Sequence, residues 1–194
     1  VVTNEKFSMN FEQWADEFDG KLKVKIINDM TTSNDDRKGA VGDMKYSLDE
    51  VKINDDLLVI AGDNLFEYKL ADFYKFFKEK GHSVVACKDM GSKDEVKEKF
   101  GVVELDSDGK IIGFEEKPAE PKSALASTAC YIFSKEDIKE INNYLEADNP
   151  ADNAGDFVKW LANHKPVYGF VFTEKWFDIG SFESLGDARE EFDG

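Results

Sequence analysis

The sequence predicts an α/β fold, a mixed but mostly parallel sheet with helices on both faces. Three observations carry the prediction. Strand-like and helix-like runs alternate along most of the chain. Single helices separate most strands, which calls for parallel pairing and helices packed on each side. Residues 57–61 (Leu57-Leu58-Val59-Ile60-Ala61) are apolar at every position, as in a strand buried on both faces.

In chain order, residues 1–3 are apolar and β-branched and read as a strand. Phe7, Phe11, Trp14, Ala15 and Phe18 recur at helical spacing, so 7–18 reads as a helix closed by Gly20. Residues 23–28 alternate as a strand, 31–38 are polar and aperiodic, and 40–51 return to helical spacing. The strand 57–61 ends in Gly62-Asp63-Asn64. A helix at 70–80 stops at Gly81, and 83–88 form the next strand. The pattern then changes, because 101–105 and 110–115 flank Asp106-Ser107-Asp108-Gly109, whose Asp-Gly pair signals a hairpin. Beyond this antiparallel insertion lie a strand (126–133), two helices (135–146 and 152–162), a strand (167–173) and a helix (182–192). No repeat or linker interrupts them, so 1–194 is expected to be one domain.

Composition narrows the function classes. The chain of 194 residues is 41% hydrophobic and 34% charged, which suits a chain with a packed core rather than a disordered one. A net charge of −16 argues against nucleic acid and anionic membranes as partners. It leaves room for a phosphorylated substrate, since a bound divalent cation reverses the local field. The two cysteines, Cys87 and Cys130, sit in apolar strands and read as buried, reduced thiols. A cytoplasmic setting is expected from them.

Ligands of open α/β sheets bind beyond the carboxyl ends of strands. Asp63 stands there, after the most apolar strand, with Gly62 letting backbone approach a ligand. A carboxylate so placed suits Mg²⁺, and equally a turn or a helix N-cap. Asp178, in Trp176-Phe177-Asp178-Ile179-Gly180, carries the same two readings. Two such carboxylates can close on one metal, although their separation in sequence does not bring them together. In Glu115-Glu116-Lys117-Pro118 the lysine offers a point charge to a phosphate and a glutamate accepts sugar hydroxyls. Taken singly, such a charged pair before a proline is an ordinary surface feature.

In combination these segments resemble a known family. Gly62-Asp63-Asn64, Phe100-Gly101-Val102-Val103-Glu104, Glu115-Glu116-Lys117-Pro118 and Trp176-Phe177-Asp178-Ile179-Gly180 look like the ordered motifs of sugar nucleotidyltransferases, glucose-1-phosphate thymidylyltransferases and uridylyltransferases above all. The resemblance spans nearly the whole chain. It implies the Rossmann-like fold of nucleotide-diphospho-sugar transferases and Mg²⁺-assisted attack of a sugar 1-phosphate on a nucleoside triphosphate (dTTP or UTP), releasing pyrophosphate. By resemblance, Asp63 and Asp178 hold the metal and, with Lys117 on the sugar phosphate, form the catalytic set. Gly101 and Glu116 face the sugar, Ser127 and Thr128 shape its pocket through their backbone, and Gly39 and Ala40 lie against the nucleobase. A non-catalytic sugar-phosphate-binding or assembly subunit of the same fold is the alternative, and a homo-oligomer is left open.

The match has gaps. Relatives begin with a strand, a glycine-rich loop and a Pro-Lys pair that wrap the triphosphate, and Val1-Val2-Thr3 resembles their second strand instead. The fold is therefore expected to be N-terminally truncated by about one βα unit, by the usual size of such a unit. A proteolysed or incomplete piece, a non-catalytic truncation, and a first unit supplied by another chain all stay open. The chain alone is expected to lack pyrophosphorylase activity and to expose an unpaired apolar edge beside 57–61. Phe100 replaces a common tyrosine and Ala129 a common glycine, so an altered sugar pocket is expected.

Overall fold

A computed structural model describes residues 1–192. The described chain divides into two compact units, residues 1–54 with 145–154, and residues 55–144 with 155 onward.

In the first unit, β1 (Val2–Thr3) pairs in parallel with β2 (Ile27–Asn28), and the Ile27 and Asp29 amides donate hydrogen bonds to the Val1 and Thr3 carbonyls along the ladder. The strand expected over 23–28 shrinks to two residues, because β1 offers only a two-residue partner. Helix α1 (Glu5–Glu17) starts where Asn4 accepts the Phe7 amide at 3.2 Å and Glu5 complements the helix dipole. Its periodic aromatics form the expected stripe, but Phe7, Trp14 and Phe18 all remain over 40% exposed. Asp36 organises the polar loop by accepting the amides of Thr32 and Ser33. Helix α2 (Gly39–Val51) begins at a glycine with φ of 76°, where a side chain would also strike the Ala151 carbonyl.

The second unit holds the main sheet: β3 (Leu57–Ile60), β5 (Val84–Asp89), β6 (Gly101–Leu105), β7 (Ile111–Glu116), β8 (Leu125–Phe133) and β9 (Tyr168–Phe172). Between β3 and β5 lie β4 (Asn64–Phe66) and helix α3 (Leu70–Lys80), which the αL residue Gly81 terminates. The path β7-β6-β8-β5-β9 carries β3 on β8. The sheet is mixed, as expected, but the balance of pairings differs from the mostly parallel arrangement anticipated. Strand β8 runs against β3, β5 and β6, and among the described pairs of the main sheet only β5–β9 is parallel. The strands β3, β5, β6 and β9 nevertheless point one way. A strand inserted between co-directional neighbours turns parallel direction into antiparallel hydrogen bonding.

Alternation along β5 feeds two cores. On one face Val84 and Ala86 pack with Phe73 and Phe77 of α3, Cys130, Ile132 and Phe172, and Phe66 and Phe170 flank them. Phe73 is fully buried, a side chain of the kind that contributes about 1.5–3 kcal/mol. The opposite face meets α7 (Ala154–His164), whose Phe157 ring lies 5.4 Å from Phe133. Helices therefore cover both faces.

The hairpin between β6 and β7 forms as expected, with Gly109 at φ of 80° donating to Asp106. A short helix α4 (Lys93–Val96) precedes it. The helix expected over 135–146 splits into α5 (Lys135–Ile138) and α6 (Ile141–Glu146). A tight turn between them has Glu140 donating to Asp137, whose carboxylate is tied to Ser83 at 2.7 Å and Lys165 at 3.3 Å. Helix α8 (Phe182–Glu191) closes the unit after β10 (Trp176–Asp178), with Ser181 and Ser184 forming a capping box. Both cysteines are free and buried. Strand β3 pairs with β8 alone among the described residues, and Leu58 and Ile60 are 44% and 40% exposed. An apolar edge is thus present where it was expected.

Candidate active site

The site forms where two strands too short to show in the sequence meet. β4 and β10 pair antiparallel, with Asn64 opposite Asp178 and Phe66 opposite Trp176. The Ile179 amide donates to the Asp63 carbonyl at 2.8 Å, and the Trp176 indole donates to Asn64 Oδ1 at 2.6 Å. Trp176 is anchored in turn against Phe100, its ring centroid 5.1 Å away. Backbone pairing and one half-buried indole thus bring Asp63 and Asp178 together from positions more than a hundred residues apart. Neither serves as a helix cap. Ser181 caps α8, and Asp63 Oδ1 accepts from the Asn64 side chain at 2.8 Å.

Electrostatics tie Lys117 to the same place. Burial raises the Asp178 carboxyl above the usual carboxylate range, the Asp63 charge raises it further, and Lys117 opposes them. Lys117 follows β7 in a left-handed conformation, φ 44°, costly for a residue with a Cβ. Its amide donates to Phe100 and the Glu98 amide to Pro118, which carry the β6–β7 ladder past the strand ends. A cavity of about 230 Å³ opens against Asp178, lined also by Met90, Phe100, Trp176, Ser184 and Asp187.

Glu116 and Gly101 face each other across β6 and β7. A methyl group on Gly101 would lie 2.9 Å from the Phe114 ring and 3.0 Å from Glu116 Oε2, so glycine lets the strand sit against that carboxylate. Burial raises the Glu116 carboxyl, and Lys117 pulls it down. Thr128 is buried and donates its hydroxyl to the Ala86 carbonyl at 3.0 Å, where the β5–β8 register shifts. Ala129, at φ of 51°, forms that bulge, which accounts for glycine being common there. The Ser127 hydroxyl is buried near the Tyr131 side chain.

Gly39 and Ala40 belong to the other unit. There the Ala40 amide donates to the Asp152 carbonyl, and Arg37 pairs with the Asp152 carboxylate at 3.0 Å. One residue escaped sequence reasoning. Asp156, in the first turn of α7, adds its charge to that on Glu116. The signal was the Gly155-Asp156 pair opening a helix, which reads as a routine first-turn acid.

The donor set fits a hard divalent cation. Two neighbouring carboxylates, one of them raised by burial and then by the other's charge, form a set of hard oxygen donors that a divalent cation would stabilise. Among the described residues no group of three or more His, Cys, Asp or Glu is arranged around a common point, so solvent or substrate oxygens would complete such a shell.

Comparisons with known proteins converge on one family. The family model for nucleotidyl transferases matches residues 1–193. A glucose-1-phosphate adenylyltransferase of Clostridioides difficile (strain 630) is 37% identical over 140 residues, 69% of this chain and 35% of its own length. The chain thus spans about a third of that curated relative. A Bacillus anthracis structure described as a glucose-1-phosphate thymidylyltransferase in complex with a sucrose superposes with a TM-score of 0.75 at 22% identity, over 98% of this chain and 74% of the other. An apo UDP-glucose pyrophosphorylase gives 0.76 at 19%, over 99% and 79%. At such identities the two structures speak for the fold. Among the described residues no helix is long and apolar enough to cross a membrane.

Proposed function

The chain belongs to the nucleotidyl transferase family, and from that premise we propose that its protein couples a sugar 1-phosphate to a nucleoside triphosphate. A phosphate oxygen of the sugar forms a bond to the α-phosphorus, the bond from that phosphorus to the bridging oxygen breaks, and pyrophosphate leaves. Glucose 1-phosphate is the proposed sugar substrate, since glucose recurs in the names of the similar proteins. The observation that carries the proposal is the β4–β10 pairing, which sets Asp63 beside Asp178 with the Lys117 charge acting on the same carboxyl.

Each residue then has a task. Asp63 and Asp178 hold Mg²⁺, which when bound neutralises charge on the phosphate oxygens. Lys117, fixed by its unusual backbone, meets the sugar phosphate as a point charge. Glu116 accepts hydrogen bonds from sugar hydroxyls, and Gly101 admits the ring against the strand. Positioning of this kind supplies much of the rate in phosphoryl-type transfers.

The test is pyrophosphate release by the full-length protein from glucose 1-phosphate and Mg²⁺ with dTTP, UTP or ATP. Turnover with one of them is expected. The motif resemblance covers dTTP and UTP alike, and the adenylyltransferase relative adds ATP as a competitor. No release with any of the three would refute the proposal.

A further inference from the structure

Two glycines from different elements converge on Glu116. Gly101 of β6 is one, and Gly155 of α7 comes so close that a methyl group there would sit 2.8 Å from the Phe114 ring and 3.5 Å from Glu116 Oε2. Asp156 is the next residue of that helix, and α7 is thereby held with its first turn against Glu116. Among the described residues neither carboxylate takes a hydrogen bond or an ion pair. Their charges act on one another, with Lys117 as the counter-charge on Glu116.

A first-turn aspartate can be there merely to complement the helix dipole. That role needs no second carboxylate nearby and is weakened by one. Two carboxylates in electrostatic contact disfavour one another, and a ligand that supplies donors to both relieves that repulsion. A ring bearing several hydroxyls supplies such donors, and a ring bearing its own carboxylate adds a third negative charge.

We infer that Asp156 is a specificity-determining residue which, with Glu116, makes the site select neutral polyhydroxylated sugar 1-phosphates and reject sugar-acid 1-phosphates. The inference rests on the proposed sugar-phosphate reading of the site. Acceptance of neutral hexoses comes from hydroxyls donating to both carboxylates, and rejection of uronic acids from like-charge repulsion.

The experiment is calorimetric binding of glucose 1-phosphate and of glucuronic acid 1-phosphate to the full-length protein. The wild type is compared with Asp156→Asn and, as a variant that keeps a helix-start residue, Asp156→Ser. Both substitutions are expected to weaken glucose 1-phosphate about fivefold and to strengthen glucuronic acid 1-phosphate by a similar factor. The selectivity ratio then falls more than tenfold. A residue serving only the helix dipole leaves that ratio unchanged, even where stability drops. Wild-type binding of glucose 1-phosphate with an unchanged ratio in both variants overturns this inference alone. No glucose 1-phosphate binding by the wild type overturns it together with the reading it rests on.

Discussion

Asp43→Asn should make the first unit more stable at neutral pH and flatten its pH dependence. Asp43 lies on α2 with Oδ1 buried and lacking a hydrogen-bond partner. Its carboxyl is pushed up to about 6 from 3.8, first by burial, then by the charge of Asp29, while Lys38 opposes. Asp29 is itself buried, and its Oδ1 accepts the Thr31 amide at 2.8 Å and the Thr31 hydroxyl at 2.7 Å. An acid whose folded value exceeds its unfolded one binds its proton more tightly when folded. Its contribution is therefore fully present below the unfolded value and is lost as pH rises through about 6. Two pH units correspond to roughly 3 kcal/mol. The group is only about half buried, and solvent screening reduces this to about 1–1.5 kcal/mol. Asparagine keeps the shape, can donate to Asp29 and has no proton to lose. Urea unfolding followed by circular dichroism, at pH values from 4.5 to 7.5, gives the variant-minus-wild-type stability. That difference should rise by about 1–1.5 kcal/mol across the range. Subtracting the wild type cancels the many other carboxylates. A difference that stays flat would mean that burial and the Asp29 charge do not raise the Asp43 carboxyl.

Further outcomes follow from single positions. Lys117→Ala should weaken glucose 1-phosphate binding by about ten- to a hundredfold, from the roughly 1.5–3 kcal/mol of a charge-assisted contact. Unchanged affinity by calorimetry would remove Lys117 from the site. Ala129→Gly should raise stability by about 0.5–1 kcal/mol, since relief of the left-handed strain of about 1–2 kcal/mol exceeds glycine's entropic cost. A lowered melting temperature would contradict that reading of the bulge. Leu58→Lys should reduce self-association in light scattering, because it places charge on the exposed apolar strand β3. Equal scattering at equal concentration would show that this edge does not drive association.

What the sequence made legible was what repeats. The aromatics of α1 and the Asp-Gly turn at 108–109 announce their structures through local periodicity or turn chemistry, and the apolar run of β3 announces a strand, though not the burial on both faces that it suggested, since Leu58 and Ile60 stay exposed. β4 and β10 have three residues each, too few for alternation, and they exist because each pairs with the other. The Trp176–Asn64 bond that locks them joins residues far apart in sequence, so no local window contains it. The candidate carboxylates could thus be picked from their strand-end positions, while their meeting could not. Asp156 was hidden for a different reason, since acids in a first helical turn are common and only its proximity to Glu116 sets this one apart. The mostly parallel expectation followed from strand–helix alternation. The insertion of β8 between β3 and β5 is a topological fact that alternation does not encode.

The central claim is that Asp63 and Asp178 work as one cation-binding pair, and Mg²⁺ titration of the full-length protein by calorimetry tests it most directly. The wild type is to be compared with Asp63→Asn, Asp178→Asn and a control, Asp94→Asn, on the exposed start of α4. Loss of either site carboxylate should weaken Mg²⁺ by at least about tenfold, or roughly 1.4 kcal/mol, with the control unchanged. Wild-type Mg²⁺ affinity in both site variants would contradict the account.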